Sequence, residues 1–219
     1  MKTGVSDIWA SYNLPKKFAG ARMDNYNPAH KSQESATQRC IEYAKNLDKI
    51  KQGTGLIFHG PYGTGKTHLA VATVYELIKN NPDQFVPRPG PWDYDNGFKN
   101  GMMFTFVSVV DLLATIREGF DGSDYKKGKA ADLLHRVKCD EIVILDDIGA
   151  EKPSEWVEEQ LYSLIDLRYR MERATIFTTN CSIPKELEQQ IGERAVSRIF
   201  EMTEGIKVDG PDYRKRKLA

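Results

Sequence analysis

Short, mostly apolar runs alternate along this chain with longer stretches whose apolar residues recur every three or four positions. Leu56-Ile57-Phe58, Met103–Val107, Glu141–Leu145 and Ala174–Thr179 are such runs. Strands covered on both faces read this way, because neither face meets water. Helical spacing appears in Leu69, Ala70, Val74, Leu77 and Ile78, and again in Val157, Leu161, Leu164 and Ile165. Val109–Gly119 and Gly192–Met202 also read as helices, and Ile206–Val208 as a last short strand. Residues 33–50 predict one continuous helix with Ala36, Cys40, Ile41, Ala44 and Leu47 on one side. Strand and helix in alternation predict an α/β fold around a parallel sheet.

The segments between these elements are polar or rich in turn formers. Residues 1–30 are mixed and contain Asn27-Pro28, which predicts an arm or linker with apolar anchors at Ile8, Trp9, Leu14 and Phe18. Pro82 to Gly101 is rich in Pro, Gly, Asp and Asn, with Trp92 and Tyr94 embedded, and predicts a long surface loop. Asp121–Lys129 is expected to be a charged connector leading to a short helix around Leu133, Leu134 and Val137. Ser154 is placed to cap a helix whose first turn carries Glu155, Glu158 and Glu159, which suits the helix dipole.

One interval between a predicted strand and a predicted helix carries chemistry. Gly60, Pro61, Tyr62, Gly63, Thr64, Gly65, Lys66 and Thr67 complete the pattern GxxxxGK[ST]. Such glycines let the backbone wrap a triphosphate, with amides near residues 63–67 aimed inward at a helix N-terminus. Lys66 would reach the β- and γ-phosphates, and the Thr67 hydroxyl would hold Mg²⁺. The candidate nucleotide contacts are these eight residues and the adjoining His68. A glycine-rich turn without a ligand is the bland alternative.

Two more strand ends converge on the same chemistry. Ile142-Val143-Ile144-Leu145 runs into Asp146-Asp147, at the edge where ligands of open α/β sheets bind. Asp146 is the expected acid on the Mg²⁺ side, and Asp147 is placed to polarise an attacking water. A simple strand-ending turn would have the same sequence. Thr175–Thr179 ends in Asn180, whose carboxamide could share that water if the two strands are neighbours. Further on, Arg194 and Arg198 stand at i and i+4 on one helix face. They suit phosphate recognition, or else surface pairing with Glu193 and Glu201.

Composition narrows the function classes. The chain has 219 residues, enough for one domain with a real core. Its 31 basic and 31 acidic residues cancel, so nucleic-acid binding would need a local patch. Cys40, Cys139 and Cys181 form no CxxC pair, which argues against a zinc module or a disulfide framework and fits a reducing cytoplasm. No membrane span or signal peptide is predicted. A guanine-specific Asn-Lys-x-Asp motif is lacking, which argues against a GTPase; a small P-loop kinase stays open.

Taken together these residues resemble the AAA+ ATPases of the DnaC/DnaI helicase-loader and IstB transposition-helper group. The resemblance runs from about Leu14 to Arg214. It rests on Gly60–Thr67, on Ile142–Pro153 with Trp156 following, on Thr179-Asn180, on Gly192-Glu193-Arg194 with Ser197-Arg198, and on Gly210–Arg214. It implies a P-loop NTPase of AAA+ type, a three-layer sandwich with a five-stranded parallel sheet. As a departure from many AAA+ proteins, no C-terminal helical lid is expected after Arg214. The expected division is an arm at 1–30, the ATPase domain at 31–214 and a basic tail at 215–219.

By the same resemblance Asn180 matches the sensor-1 position, Arg198 the arginine finger and Arg214 the sensor-2 arginine. Arg194 is a second candidate for an intersubunit or nucleotide contact. The finger acts on a neighbour's nucleotide, which implies self-association through the Arg198 surface. Asp146-Asp147 stands where most AAA+ proteins have Asp-Glu, implying slow turnover. The short N-terminal region lacks zinc-ligand cysteines, which leaves the helicase-gripping element unassigned. The implied activity is ATP hydrolysis with Mg²⁺, coupled to loading a replicative DnaB-type hexameric helicase onto single-stranded DNA. An IstB-like ATPase that regulates a transposase is the alternative. The group's extra helical element falls at about Leu112–Lys138, where Arg117, Lys126, Lys127 and Lys129, with Phe120 and Tyr125 interleaved, are the candidate single-strand contacts. A solvated charged loop would read alike.

Overall fold

The computed structural model describes residues 4–12, 14–88 and 101–218. Five strands, β1 (Gly55–His59), β2 (Phe104–Ser108), β3 (Ile142–Asp146), β4 (Ala174–Thr179) and β5 (Thr203–Lys207), form one sheet in the order β2-β3-β4-β1-β5. Every pairing is parallel. β4 therefore lies between the strand that feeds the glycine loop and the strand that ends in the paired acids. Ile144 faces Ile176, which in turn faces Leu56.

The period of two along each strand divides the core into two layers. Leu56, Phe58, Ile142, Ile144 and Ile176 enter one cluster, while Ile57, Val143, Leu145 and Phe177 enter the other. The first cluster is covered by α1 (Val5–Ala10), α2 (Lys31–Lys45), α3 (Leu47–Lys51) and α4 (Lys66–Asn80). The second is covered by α5 (Val109–Asp121), α6 (Asp124–Cys139), α7 (Glu155–Arg170), α8 (Lys185–Ile191) and α9 (Glu193–Met202). The expected three-layer sandwich with a five-stranded parallel sheet is what forms.

Three local expectations are corrected. The helix expected over 33–50 breaks at Asn46, whose φ of −107° and ψ of 79° leave the helical region. Its N–H ends α2 on the Tyr43 carbonyl, and its side-chain oxygen caps α3 by accepting from Lys49 N at 3.2 Å. The connector expected over 121–129 is helical from Asp124 onward, because Ala130 and Val137 have a buried stripe to join. α8 had no predicted counterpart; its apolar signal is only Leu187 and Ile191, both buried. Trp92 and Tyr94 lie outside the described residues.

The four N-terminal anchors all find the core. Ile8 and Trp9 are buried, and Leu14 and Phe18 pack against them. Trp9 stacks on Phe104 with ring centres 5.5 Å apart and donates from Nε1 to the Ala19 carbonyl at 2.9 Å. That bond fixes the path of the chain toward the glycine loop. The Arg22 guanidinium lies 3.5 Å from the centre of the Tyr75 ring on α4, closing this segment over the helix that follows the loop.

Candidate nucleotide-binding site

The loop between β1 and α4 is shaped by glycines that no other residue could replace without displacement. Gly63 and Gly65 have φ of 72° and 95°. A Cβ on Gly63 would come within 1.7 Å of an Asp212 carboxylate oxygen, and one on Gly65 within 2.5 Å of the Tyr26 ring. Both ends of the chain therefore press on the loop. Tyr26 donates its hydroxyl to the Thr64 carbonyl at 2.7 Å, Gln33 Nε2 donates to the same oxygen at 3.2 Å, and Tyr213 N donates to the Gly63 carbonyl at 3.0 Å. Held this way, the loop presents its amides and the positive end of α4 to one cavity.

That cavity has a volume of about 730 Å³. Tyr62 to His68, Asp146, Asp147, Asn180 and Arg214 line one part of it. Lys16, Lys17, Phe18, Asn25, Tyr26 and Asn27 line another, and Thr178, Gln33, Pro211 and Tyr213 contribute as well. The arm-side residues, Thr178 and Tyr213 were not candidates on sequence. Thr178 had a signal, since it stands beside Thr179-Asn180 on a strand predicted to border the acidic one, and Tyr213 lies within the Gly210–Arg214 segment that carried the resemblance.

The acids and Asn180 form one bonded group. Asp146 Oδ1 accepts from Thr67 Oγ1 at 2.8 Å and from Thr178 Oγ1 at 2.7 Å. Burial raises the Asp146 pKa, and these two bonds oppose the rise. Asp147 sits at φ 60°, a left-handed conformation unusual for a side-chain-bearing residue. Its N–H is held by Thr178 Oγ1 at 2.9 Å, and its carboxylate accepts from Asn180 Nδ2. Lys66 Nζ donates to the Gly60 carbonyl at 2.8 Å, the Pro61 carbonyl at 2.7 Å and Asn180 Oδ1 at 2.6 Å. Burial draws its pKa down to about 8, against the pull of Asp147 and Asp146.

The other candidate residues are distributed as follows. The His68 ring lines the cavity, and Nε2 is engaged with the Arg22 carbonyl at 2.8 Å. Arg194 and Arg198 are absent from the lining. Arg194 is exposed on α9, and Arg198 is bonded to Asp166 and Glu201. The four single-strand candidates differ in their surroundings. Arg117 lies over the Trp156 ring at 4.6 Å and Lys126 pairs with Glu118 at 3.5 Å, whereas Lys127 and Lys129 are exposed on α6, as is Tyr125. Phe120, 62% exposed, meets Trp156 edge-on.

The sheet order, the glycine loop and the acids at the end of β3 define a P-loop protein of AAA+ type. The family model described as IstB-like ATP binding protein matches residues 13–83 and 95–219, and the chain belongs to that family. It is similar to the replicative helicase loader DnaC of Buchnera aphidicola subsp. Baizongia pistaciae, at 25% identity over 83% of this chain and 64% of the relative. It is also similar to the replicative helicase loader DnaI of Bacillus subtilis, at 23% identity over 94% of this chain and 62% of the relative. The chain thus spans somewhat under two thirds of either relative. A crystal structure of the DnaC helicase loader superposes with a TM-score of 0.71 at 29% identity, covering 89% of this chain and all of that one. A crystal structure of DnaI matches with a TM-score of 0.67 at 22% identity, covering 91% of this chain and 94% of the other.

Proposed function

We propose that this protein binds and slowly hydrolyses ATP, and that it uses the nucleotide to place a replicative DnaB-type hexameric helicase on single-stranded DNA. The observation that carries the chemical part is the bonded group Thr67–Asp146, Lys66–Asn180–Asp147 at the mouth of the glycine loop. Lys66 and the loop amides take the phosphates. Asn180 orients Asp147, whose carboxylate draws the proton side of a water toward itself as that water attacks. Asp147 is a short acid for that role, which is the reason to expect slow turnover. Arg214 lines the same cavity and is placed to meet a phosphate.

The donor set also fits Mg²⁺. Thr67 and Asp146 offer only hard oxygen atoms, as this ion requires, and it commonly takes few protein ligands beside phosphate. When bound, Mg²⁺ would neutralise charge on the phosphate oxygens.

The names of the similar proteins, replicative helicase loaders, support a helicase as partner; the single-strand contacts of α5 and α6 and a cytoplasmic site of action belong to the same reading. Among the described residues, no helix is long and apolar enough to cross a membrane. In this reading residues 31–214 are the ATPase domain, 1–30 an arm closing over the nucleotide and 215–219 a basic tail. Arg198 meets the nucleotide of a neighbouring copy. Regulation of a transposase is the second reading, favoured by the family description alone.

The test incubates the protein with a DnaB-type hexamer, circular single-stranded DNA and ATP, and counts helicase rings on the DNA. Rings that depend on this protein and on ATP support the proposal. If no ring loads, and ATP instead drives its association with a transposase, the second reading replaces it.

A further inference from the structure

Arg198 is held by more groups than a surface arginine needs. Its Nε donates to Asp166 Oδ1 at 3.1 Å, and its Nη1 lies 3.4 Å from both Glu201 oxygens. Its guanidinium carbon sits 4.6 Å from the centre of the Tyr169 ring. The Tyr169 hydroxyl is itself bonded to Glu201, which raises its pKa. Asp166 is fixed in turn, because its second oxygen accepts from Arg170 Nε at 2.9 Å. Two helices, α7 and α9, thus close a ring around one cation.

The Arg198 side chain keeps 33% of its surface exposed. Nε and Nη1 are engaged, and among the described residues none bonds Nη2. The aromatic face restricts rotation of the plane, so the free edge keeps one direction. An arginine side chain gives up rotamer entropy when it meets an anion, and a fork already held in place loses less of it. A pair formed only to staple α7 to α9 would need Asp166 alone. Stacking and a second carboxylate add direction.

We infer that Asp166, Tyr169 and Glu201 are positioning residues that aim Arg198 at an anionic group presented by a second copy of this chain. This rests on the proposed function, in which that group is the terminal phosphate of the neighbour's ATP. Tyr169 acts through its ring face and Asp166 through the bond to Nε. Neither touches the nucleotide.

The test places the substitutions only in the subunit that donates the arginine. Lys66→Ala protein, which keeps its finger, is mixed with Arg198→Ala protein, which keeps its site, and the recovered ATP turnover is measured. The mixture is repeated with Lys66→Ala/Tyr169→Leu and with Lys66→Ala/Tyr169→Phe as donors. The leucine donor should recover about tenfold less kcat with KM unchanged, since misaimed groups lose transition-state contact and not substrate binding. The phenylalanine donor, which keeps the ring, should recover most of it. A purely structural staple would instead lower the melting temperature of the leucine donor in step with the lost recovery, whereas a positioning role lowers kcat at an unchanged melting temperature and KM. Lys66→Ala/Asp166→Ala serves as a second donor should the leucine variant melt early, with the same tenfold loss expected. Equal recovery from all donors overturns the positioning role and leaves the trans arginine intact. No recovery from the Lys66→Ala and Arg198→Ala pair at any ratio overturns both.

Discussion

Asn180 and Asp147 are bonded across the seam between β3 and β4, the amide of one donating to the carboxylate of the other. The same Asn180 accepts from Lys66 through its other atom. One carboxamide therefore joins the lysine of the glycine loop to the second acid of the β3 end.

Replacing Asp147 with Asn should leave nucleotide binding near the wild-type level and lower ATP turnover by at least about a hundredfold, the usual range for losing a positioned base. Fluorescent nucleotide titration and phosphate release separate the two. Retained turnover would show that another group orients the water.

Tyr26 reaches the glycine loop from a distant stretch of chain, so its hydroxyl tests whether the arm supports the loop. Tyr26→Phe removes the bond to the Thr64 carbonyl, at an expected cost of about 0.5–1.5 kcal/mol. Thermal unfolding without nucleotide should fall accordingly, and ATP affinity should weaken by a few-fold. Unchanged affinity would mean that Gln33 and Tyr213 suffice to hold the loop.

His59 ends β1, one residue before the loop. Burial lowers its pKa below 6.5, with Lys207 and Lys66 adding to the effect. The unfolded chain then binds more protons than the folded one as pH drops through 6.5 and toward the lower folded value. Stability from this group is present above 6.5 and is lost on acidification. Melting temperature measured between neutral and mildly acid pH should decline less steeply in His59→Gln than in wild type. A parallel decline would assign the acid sensitivity to other groups.

The exposed cations of α6 are unequal. Lys126 already pairs with Glu118, whereas Lys127 and Lys129 are exposed and have no ion pair among the described residues. Lys127→Glu/Lys129→Glu should weaken single-strand binding more than Lys126→Glu and should reduce its salt dependence. Fluorescence anisotropy with a labelled oligonucleotide at two salt concentrations reads both. Undiminished binding by the triple reversal at 126, 127 and 129 would remove α6 from the DNA surface.

Much of the nucleotide pocket was legible in the sequence because each part is a strand end. A run such as Ile142–Leu145 can only be a buried strand, and whatever polar residue follows it emerges at the ligand-binding edge. Asp146, Asp147 and Asn180 were found that way, and the loop by its glycines. Tyr26, Gln33 and Tyr213 were not, because their contacts join segments far apart in the chain and local periodicity carries no trace of them. Asn46 was missed since one asparagine barely interrupts a helical stripe, yet its side chain can end one helix and begin the next. The lysine-rich start of α6 read as a connector because its apolar stripe begins only at Ala130. Arg168 illustrates the opposite failure. A charged position on α7 reads as surface, but this guanidinium is wholly buried, with Thr175, Val137, Asp140 and Ala174 as its acceptors.

Helix α9 passes into β5 with no intervening loop, and β5 lies in register beside β1. A pull on that helix from outside would have no slack to absorb it. The displacement would arrive at the edge strand, one strand away from the molecule's own glycine cradle, through a single rigid lever.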